Sequence, residues 1–383
     1  MRWYHRYVGF SFILIILAFT VILLVRPDRA YSEKEKRSLS GKPALTLSTL
    51  SDGSFMNGIE AYAADQFPGR NALMTMKTSL LLFTGDRESQ GVYYCGDDRL
   101  MERFYPADPE NKEETIQEMA DFSARHENTD FYFMLVPSAI AVYPELLPKN
   151  APTASEDAYI DDFYSRLGSS YNCIDVREAL NSHKDDTLLY YRTDHHWTTD
   201  AAYLAFGVLQ QQMNLSSPVT FRSGIVCNEF FGSLSAKSGY LTKKADAIRV
   251  YLPEYPEELM DNSYYTVTYP ENMKRSGSCY ETDALLTDDP YQVFFGSNHP
   301  IFTINTSLES DRKLLVVKDS YANCLIPFLI PDYKRITVVD PRYYYDDIDA
   351  LVISEGYDEV LFLYNANTLS ADTSLKTVLK NNQ

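Results

Sequence analysis

The chain has 383 residues, of which 45% are hydrophobic, so it is long enough to bury one large core or two smaller ones. It carries 35 basic and 53 acidic residues, a formal net charge of -18. Contacts with phosphate groups need clustered Lys and Arg side chains, and the sequence has no basic patch interleaved with aromatic residues. This balance excludes a nucleic-acid-binding surface, so we expect no nucleic-acid partner.

The first long apolar segment, Val8 to Val25, holds 18 residues without a charge. As a helix it would span about 27 Å, close to the hydrocarbon thickness of about 30 Å. A cleavable signal peptide is the alternative, but the segment runs directly into the charged string Arg26 to Arg29 without a small-x-small site. We expect an uncleaved anchor. Basic residues flank both ends, and the large acidic body that follows favours an extracytoplasmic carboxy-terminal domain in a single-pass protein.

The rest of the chain divides into two predicted regions. Residues 26–89 read as a juxtamembrane arm with one or two helices around Gly58 to Phe83, and residues 90–383 form the main domain. Between about 216 and 300 the sequence turns to Gly, Ser, Tyr and Thr with alternating runs. We interpret that part as an inserted, partly antiparallel subregion.

The main domain alternates apolar runs with helical patterns, which predicts an α/β fold with a parallel sheet flanked by helices. The predicted elements, in chain order, are a strand over Asp130 to Ser138, a helix over Ala158 to Ser169, a short strand near Cys173 to Val176, a helix beginning at Asp200 after a possible cap at Thr199, and strands over Lys313 to Val317, Arg335 to Asp340 and Glu359 to Asn365. Ligands of such sheets bind beyond the carboxyl ends of the strands.

The five cysteines are widely spaced and include no C-x-x-C pair, which excludes a zinc ribbon and a dithiol redox centre. They are Cys95, Cys173, Cys227, Cys279 and Cys324. We expect mostly free thiols, no metal ion and no cofactor.

The sharpest string is YRTDHHWTTDAAY, which places Asp194, His195, His196 and Trp197 side by side. If the string is extended, Asp194 and His196 lie on one face, so the carboxylate can accept the imidazole Nδ1 proton and leave Nε2 as a general base. A metal site is one alternative, although adjacent histidines on a strand point apart. A capped helix start with buried histidines is the other.

A histidine base needs a nucleophile, and Ser320 in LLVVKDSYANC is the best candidate. It follows a buried strand and precedes an expected helix, a turn that exposes a hydroxyl and aims backbone N–H groups and the helix dipole at a developing oxyanion. The alternative is an ordinary helix cap. Cys324, one turn later, could face the same cleft or be a buried structural thiol.

Several strings together resemble the DHHW family of bacterial membrane-anchored proteins. They are DHHW itself, DQFPGR (Asp65 to Arg70), VPSAIAVYPELLP (Val136 to Pro148), VVKDSYAN and VVDPRYYY (Val338 to Tyr345). That family is similar to the alginate O-acetyltransferase family, whose SGNH-hydrolase-like domain uses a D-x-H motif and a later Ser in a GDS-type motif. Lys318 departs from this pattern where the motif has Gly, and Ser138 departs where Lys often follows the first-strand Pro.

The resemblance implies an SGNH-hydrolase-like, flavodoxin-like sheet, with Ser320 as nucleophile and His196 and Asp194 as its partners. It also implies a multipass membrane acyltransferase as a partner protein and a cell-surface polysaccharide as the substrate. We also expect a further set of residues to contact the oxyanion or the substrate. They are Gly296, Asn298, Arg342, Tyr143, His195 and Trp197. Plain turns or ion pairs are the alternatives for Gly296, Asn298 and Arg342.

These features support an O-acyltransferase, with acetyl as the expected group, acting on a cell-surface polysaccharide through a Ser-His-Asp triad. A carbohydrate esterase with the same triad is the close alternative, because only the exclusion of water separates transfer from hydrolysis. A non-catalytic surface protein of the same fold is a third possibility, and it predicts that Ser320 and His196 do not meet.

Overall fold

The structure is a computed structural model that describes residues 2–32, 37–106, 108–257 and 264–380. Residue 1 of the predicted anchor, residues 33–36 of the arm, and residues 107, 258–263 and 381–383 of the predicted main domain lie outside the described residues. Tertiary contacts divide the chain into two compact units, Met1–Gln90 with Ser235–Leu241, and Gly91–Leu234 with Thr242–Gln383. The boundaries that we predict for anchor, arm and insertion remain predictions.

The helices have the following bounds: α1 Arg2–Val25, α2 Leu47–Ser51, α3 Ser54–Gln66, α4 Arg70–Thr84, α5 Pro109–Arg125, α6 Ala139–Val142, α7 Glu156–Leu167, α8 Arg177–His183, α9 Thr199–Gln212, α10 Ser233–Ser238, α11 Ile326–Leu329, α12 Ile348–Glu355, α13 Ala366–Ala371 and α14 Ser374–Leu379.

The strands have the following bounds: β1 Tyr31–Ser32, β2 Arg37–Ser38, β3 Glu88–Ser89, β4 Val92–Tyr94, β5 Leu100–Glu102, β6 Asp130–Val136, β7 Asn172–Cys173, β8 Thr220–Phe230, β9 Asp246–Glu254, β10 Tyr265–Tyr269, β11 Lys274–Ser276, β12 Ile301–Thr306, β13 Lys313–Lys318, β14 Arg335–Val339 and β15 Glu359–Asn365.

The first unit contains α1, whose segment His5–Val25 is long and apolar enough to cross a membrane and is not buried by the protein. Helices α2, α3 and α4 follow in this unit. A glycine with positive φ precedes α4, and Gly85 (φ 88°) ends it, because its N–H caps the last carbonyls in a left-handed conformation.

The second unit is built on an eight-stranded sheet in the order β11-β10-β12-β14-β13-β15-β6-β7. The five strands from β14 to β7 are parallel, whereas β12, β10 and β11 add an antiparallel edge. The predicted mixed α/β fold with a mostly parallel central sheet is thus confirmed. Of the predicted insertion, β8 and β9 form a separate antiparallel hairpin, and β10 and β11 join the main sheet.

Central strands are apolar on both faces because helices cover the sheet. All seven residues of β15 are buried, and so are six of the seven in β6. Phe122 of α5 packs edge-on against Phe362 of β15, and Phe163 of α7 packs against Phe133 of β6. This packing fixes the sheet whose carboxyl edge carries Ser320.

Most of the predicted elements are present with bounds that differ by one to a few residues. The predicted helix over 158–169 is α7, and the predicted strand near 173–176 is the two-residue β7. The helix predicted from Asp200 begins at Thr199, with Thr198 as its N-cap, because the Thr198 hydroxyl accepts a hydrogen bond from the Ala201 N–H at 3.2 Å.

Candidate active site

The segment that carries Asp194 and His196 is a bend, so our premise of an extended strand was wrong there. Oδ1 of Asp194 accepts a hydrogen bond from the backbone N–H of His196 at 3.0 Å. Asp side chains favour local turns of this kind. The same turn places the His196 ring beside the carboxylate. Nδ1 of His196 lies 2.6 Å from Oδ1 of Asp194.

The Asp194 carboxylate is fixed from its other side by the start of α10. Oδ2 of Asp194 accepts the Ser233 N–H at 2.6 Å. This approach requires a glycine before Ser233, since a Cβ at Gly232 would lie 2.1 Å from Cβ of Asp194. The Gly232 N–H in turn donates to Oγ1 of Thr193 at 2.9 Å.

Ser320 lies just beyond the carboxyl end of β13, as the first residue of a short 3₁₀-helix over Ser320–Cys324. Asp319, rather than Ser320, is the cap, because its carboxylate accepts the N–H groups of Tyr321 and Asn365, both at 2.9 Å. The helix is only five residues long, so the long helix dipole that we expected behind Ser320 is missing. Among the described residues, the backbone N–H of Ser320 has no protein acceptor.

The structure brings the three predicted catalytic side chains together. Nε2 of His196 lies 2.7 Å from Oγ of Ser320, within the range of about 2.6–3.2 Å that proton transfer needs. A carboxylate only accepts, so Nδ1 carries the ring proton and Nε2 is left to accept the Ser320 hydroxyl. All three are buried, with 3% exposure for Asp194, 6% for His196 and 8% for Ser320.

The site environment keeps His196 neutral. Burial, with a smaller contribution from the neighbouring His195, lowers the pKa of His196 to about 4, although Asp194 opposes both effects. At neutral pH the imidazole is therefore a free base, as a proton acceptor for Ser320 must be.

Tyr291 is a site residue that sequence reasoning missed. Its ring stacks on the His196 imidazole with 4.0 Å between centroids and 14° between planes. Its hydroxyl donates to the Ser320 carbonyl at 3.4 Å. Nothing marks this residue among 30 tyrosines, because only the fold brings it to the histidine.

The other two residues of the DHHW string have different environments. His195 keeps a third of its side chain exposed, lies 3.9 Å from the His196 ring, and binds the Ser233 hydroxyl through Nδ1 at 2.7 Å. Trp197 is fully buried, and its Nε1 donates to the Tyr321 carbonyl at 2.9 Å. The expected substrate contact of Trp197 was therefore wrong, and this side chain ties the two catalytic segments together.

Gly296 and Asn298 differ as oxyanion candidates. The Gly296 N–H donates to the Gln292 carbonyl at 2.9 Å, so the expectation that it serves an oxyanion was wrong. Oδ1 of Asn298 accepts from Nζ of Lys318 at 3.1 Å and from the Asn323 amide at 3.3 Å. Because an ammonium group only donates, the Asn298 oxygen must face Lys318, and its NH₂ group points away from it.

Arg342 and Tyr143, for which we expect substrate contacts, are both engaged by protein groups, although Arg342 keeps 26% of its side chain exposed. Arg342 makes two hydrogen bonds to the buried carboxylate of Asp340, at 2.8 and 2.6 Å. Tyr143 is buried, with the Arg99 guanidinium 4.4 Å above its ring, and its hydroxyl accepts the Leu189 N–H at 3.3 Å. Both side chains support the fold around the site.

Lys318, where the resemblance leads one to expect Gly, is the fully buried centre of a polar network. Nζ of Lys318 lies 3.2 Å from Oδ2 of Asp340, and both side chains are inaccessible to solvent. Burial alone would raise the pKa of Asp340, but Lys318 and Arg342 together hold it below its usual value. Asn323, also missed from sequence, is buried beside this pair and keeps an amide oxygen without a partner.

Metal-ligand atoms of Asp194, His195 and His196 lie within 4.8 Å of one another, so a metal alternative has to be weighed. Both ring nitrogens of His196 already form hydrogen bonds, to Asp194 and to Ser320. A metal ion at these atoms would have to break one of them. The donor set therefore fits a proton relay better than a metal centre.

Replacing Gly232 by Ala should loosen the site, because the new methyl group would collide with Asp194. We expect the free energy of unfolding to fall by about 1–3 kcal/mol, measured by denaturant unfolding. Gly207→Ala is the matched control, since Gly207 lies inside α9 with no atom within 4 Å of an added Cβ. It should raise stability by about 0.5–1 kcal/mol. Equal stability of Gly232→Ala and the parent chain would contradict the crowding.

Lys318→Met should remove one charge of a buried ion pair and lower the free energy of unfolding by about 3–5 kcal/mol. The control is Lys313→Met at the opposite end of β13, where Nζ donates to the Glu355 carbonyl at 2.7 Å. Its cost should stay below about 1.5 kcal/mol. If thermal and denaturant unfolding show the two variants to be equally stable, Lys318 does not hold the network together.

The sequence profile of the DHHW protein family matches residues 84–339, more than half of the chain. The structure is similar to the crystal structure of a DHHW family protein from Eubacterium siraeum, with a TM-score of 0.63 and 21% identity, covering 76% of this chain and 95% of that one. It is also similar to Bacillus cereus PatB1 carrying a sulfonyl adduct, with a TM-score of 0.59 and 20% identity, covering 72% of this chain and 95% of that one.

Among curated proteins, Probable alginate O-acetylase AlgJ of Pseudomonas aeruginosa is 25% identical over 169 residues. The alignment covers 42% of this chain and 43% of that protein, so it spans less than half of the relative's length. The structural likenesses establish the fold, and the profile match extends from the last residue of α4 through β14. The chain belongs to the DHHW protein family.

Proposed function

We propose that this chain is an extracytoplasmic O-acetyltransferase that modifies a cell-surface polysaccharide, with Ser320 as nucleophile. The observation that carries the proposal is the continuous hydrogen-bonded line from Asp194 through His196 to Ser320, with distances of 2.6 and 2.7 Å. Acyl transfer through a serine ester requires a nucleophile, a base and an orienting group that are joined by hydrogen bonds in this order. The sequence relative named as an alginate O-acetylase supports acetyl as the group and a polysaccharide as the acceptor.

The first half-reaction loads the enzyme. Nε2 of His196 takes the proton of Ser320 while Oγ attacks the donor's acyl carbonyl, and the Ser320 N–H and the Asn298 NH₂ group are the donors that we propose for the oxyanion. Collapse of the tetrahedral intermediate breaks the bond to the leaving group, which receives the proton from His196. Asp194 stabilises the imidazolium that forms in between.

The second half-reaction runs the same steps in reverse with a sugar hydroxyl as nucleophile. His196 removes the hydroxyl proton, the sugar oxygen attacks the Ser320 ester, and Ser320 leaves with the proton from His196. With water in place of the sugar, the same machinery is an esterase. The SGNH-hydrolase-like variant of the fold belongs to this proposal, because the resemblance implies a D-x-H motif followed by a serine, and Asp194 and His196 precede Ser320 in this order.

A non-catalytic surface protein of the same fold is the alternative from another class. It predicts Ser320 Oγ more than about 6 Å from the His196 nitrogens, far beyond the range for proton transfer. The distance of 2.7 Å favours the enzyme. We further propose that α1 is an uncleaved anchor, that the body lies outside the cytoplasm, and that a multipass membrane acyltransferase supplies the acyl group.

Ser320→Ala should abolish formation of the acyl-enzyme, because among the described residues no other hydroxyl donates to Nε2 of His196. The measurement is intact mass spectrometry of the full chain after incubation with an activated acetyl ester. His196→Ala should slow acylation by at least about a thousandfold. Ser354→Ala, an exposed serine on α12, is the control that should acquire one acetyl group like the parent. A Ser320→Ala variant that still acquires the group at the parent rate would refute the assignment.

The acylation rate should stay constant as the pH falls from about 8 to about 5 and then decline through about 4, where His196 takes up a proton. A protonated imidazole cannot accept the Ser320 proton, so the loss lies on the acid side. His195→Ala should shift this decline to higher pH, because His195 contributes to the low pKa of His196. Rate constants at limiting donor, measured by mass spectrometry across pH, test both statements. A decline centred near the ordinary histidine value of about 6.5 in the parent chain would contradict them.

A further inference from the structure

Helix α4 in the first unit has an apolar stripe that the described residues of this unit leave exposed. Leu73, Met76, Leu80 and Phe83 follow one another at intervals of three, four and three residues, so they lie on one face of the helix. Their exposed fractions are 44% for Leu73, 66% for Met76, 62% for Leu80 and 88% for Phe83. A contiguous stripe of large, exposed apolar side chains on a protein surface marks an interaction site.

The opposite face of α4 is where the helix packs within its unit. Thr78 is buried there, and its hydroxyl donates to the Gly239 carbonyl at 2.9 Å. At 100° per residue Thr78 lies about 180° from the centre of the stripe. The exposed stripe is therefore not the packing face of α4 within the first unit.

The charge around α4 differs from that of the whole chain. Residues 67–85 contain two cations, Arg70 and Lys77, and no acidic residue, although the chain holds 53 acidic residues. Helices that lie in the interface of a bilayer combine an apolar face of Leu, Met and Phe with basic residues on the polar side. The local composition thus matches a lipid surface and not the acidic body.

A contact between α1 and the residue that ends α3, just before α4, sets a depth. Phe67, three residues before α4, stacks on Phe19 of α1 with 4.9 Å between ring centroids. Phe19 lies six residues before the end of α1 at Val25, which is about 9 Å along the helix axis. An interfacial helix buries its apolar face by about 5–10 Å, so this contact places the start of α4 at the depth where such helices lie.

We propose that α4 lies in the outer interface of the bilayer that α1 crosses, with the stripe from Leu73 to Phe83 inserted among the lipid acyl chains. The helix gives the membrane anchor a second, in-plane attachment. The inference rests on the anchor role proposed for α1 and is independent of the acyl-transfer chemistry.

The test uses the full chain in proteoliposomes, with a photoreactive diazirine analogue of leucine placed at one position at a time. Leu80 reports on the stripe. Leu82 is the matched control, the same residue type on the opposite side of the helix and half-buried. An analogue at Ile16 in α1 shows whether the anchor itself is in the bilayer. After irradiation, lipid adducts are quantified by mass spectrometry, and the reaction is repeated in native membranes.

We expect lipid adducts at Ile16 and at Leu80, with at least about fivefold more at Leu80 than at Leu82. Adducts at Ile16 with none at Leu80 would overturn the proposal while leaving the anchor intact. Crosslinking of Leu80 to a second copy, which its coiled-coil-like spacing would also permit, or to a different membrane protein, would overturn it as well. Absence of lipid at both positions would refute the anchor and the in-plane helix together. None of these outcomes depends on acylation of Ser320.

Discussion

The site depends on a single carboxylate oxygen. Oδ1 of Asp194 accepts two hydrogen bonds, from the backbone N–H of His196 at 3.0 Å and from its ring Nδ1 at 2.6 Å. The first bond forms the bend and the second orients the ring. One carboxylate oxygen therefore determines both the backbone turn and the orientation of the imidazole. The remaining oxygen is held by the Ser233 N–H, which leaves the carboxylate little freedom to rotate. A pre-organised base of this kind loses little entropy when the reaction begins.

The nucleophile is fixed by a second, separate set of contacts. Asp319 ties the turn after β13 to the end of β15 through the Asn365 N–H, and Trp197 ties the histidine segment to Tyr321. Below this turn Lys318 and Asp340 form an ion pair with no access to solvent. Such a pair is costly to bury, and its two charges must be satisfied together. Because Lys318 directly precedes the Asp319–Ser320 turn and donates to Oδ1 of Asn298, the pair fixes the geometry of the turn and of the Asn298 amide.

The fold class and the three central residues of the site could be predicted from the sequence, but for different reasons. The strands β6, β13, β14 and β15 are continuous apolar runs, a signal that depends only on local composition. Asp194 and His196 were paired by assuming a strand, whereas a side-chain-stabilised bend produces the pairing. A carboxylate and an imidazole two residues apart can meet in an extended strand or in a bend. The sequence pattern therefore predicted the pair but not the backbone conformation.

The supporting residues could not be predicted because their roles arise from tertiary packing. Tyr291 and Asn323 lie far in sequence from His196, and each has a bland local context. Conversely, Gly296, Arg342, Tyr143 and Trp197 looked available because a sequence shows polar and aromatic groups but not the partners that occupy them. The spacing of residues in the sequence shows which side chains of one segment can interact with each other. Only the folded structure shows whether a hydrogen-bond donor already has a partner from another segment.

In the mechanism that we propose, transfer and hydrolysis use the same three side chains, so the choice between them would depend on what reaches the acyl group on Ser320. Tyr291 covers one face of the His196 ring at 4.0 Å, and Ser320 keeps only 8% exposure. His195, with a third of its side chain exposed, has its ring centroid 3.9 Å from that of His196. In the proposed transfer a bound sugar would bring its hydroxyl to Nε2 and displace water from the same space, whereas water gains no comparable binding energy. Acceptor binding is therefore the step that would make this triad a transferase.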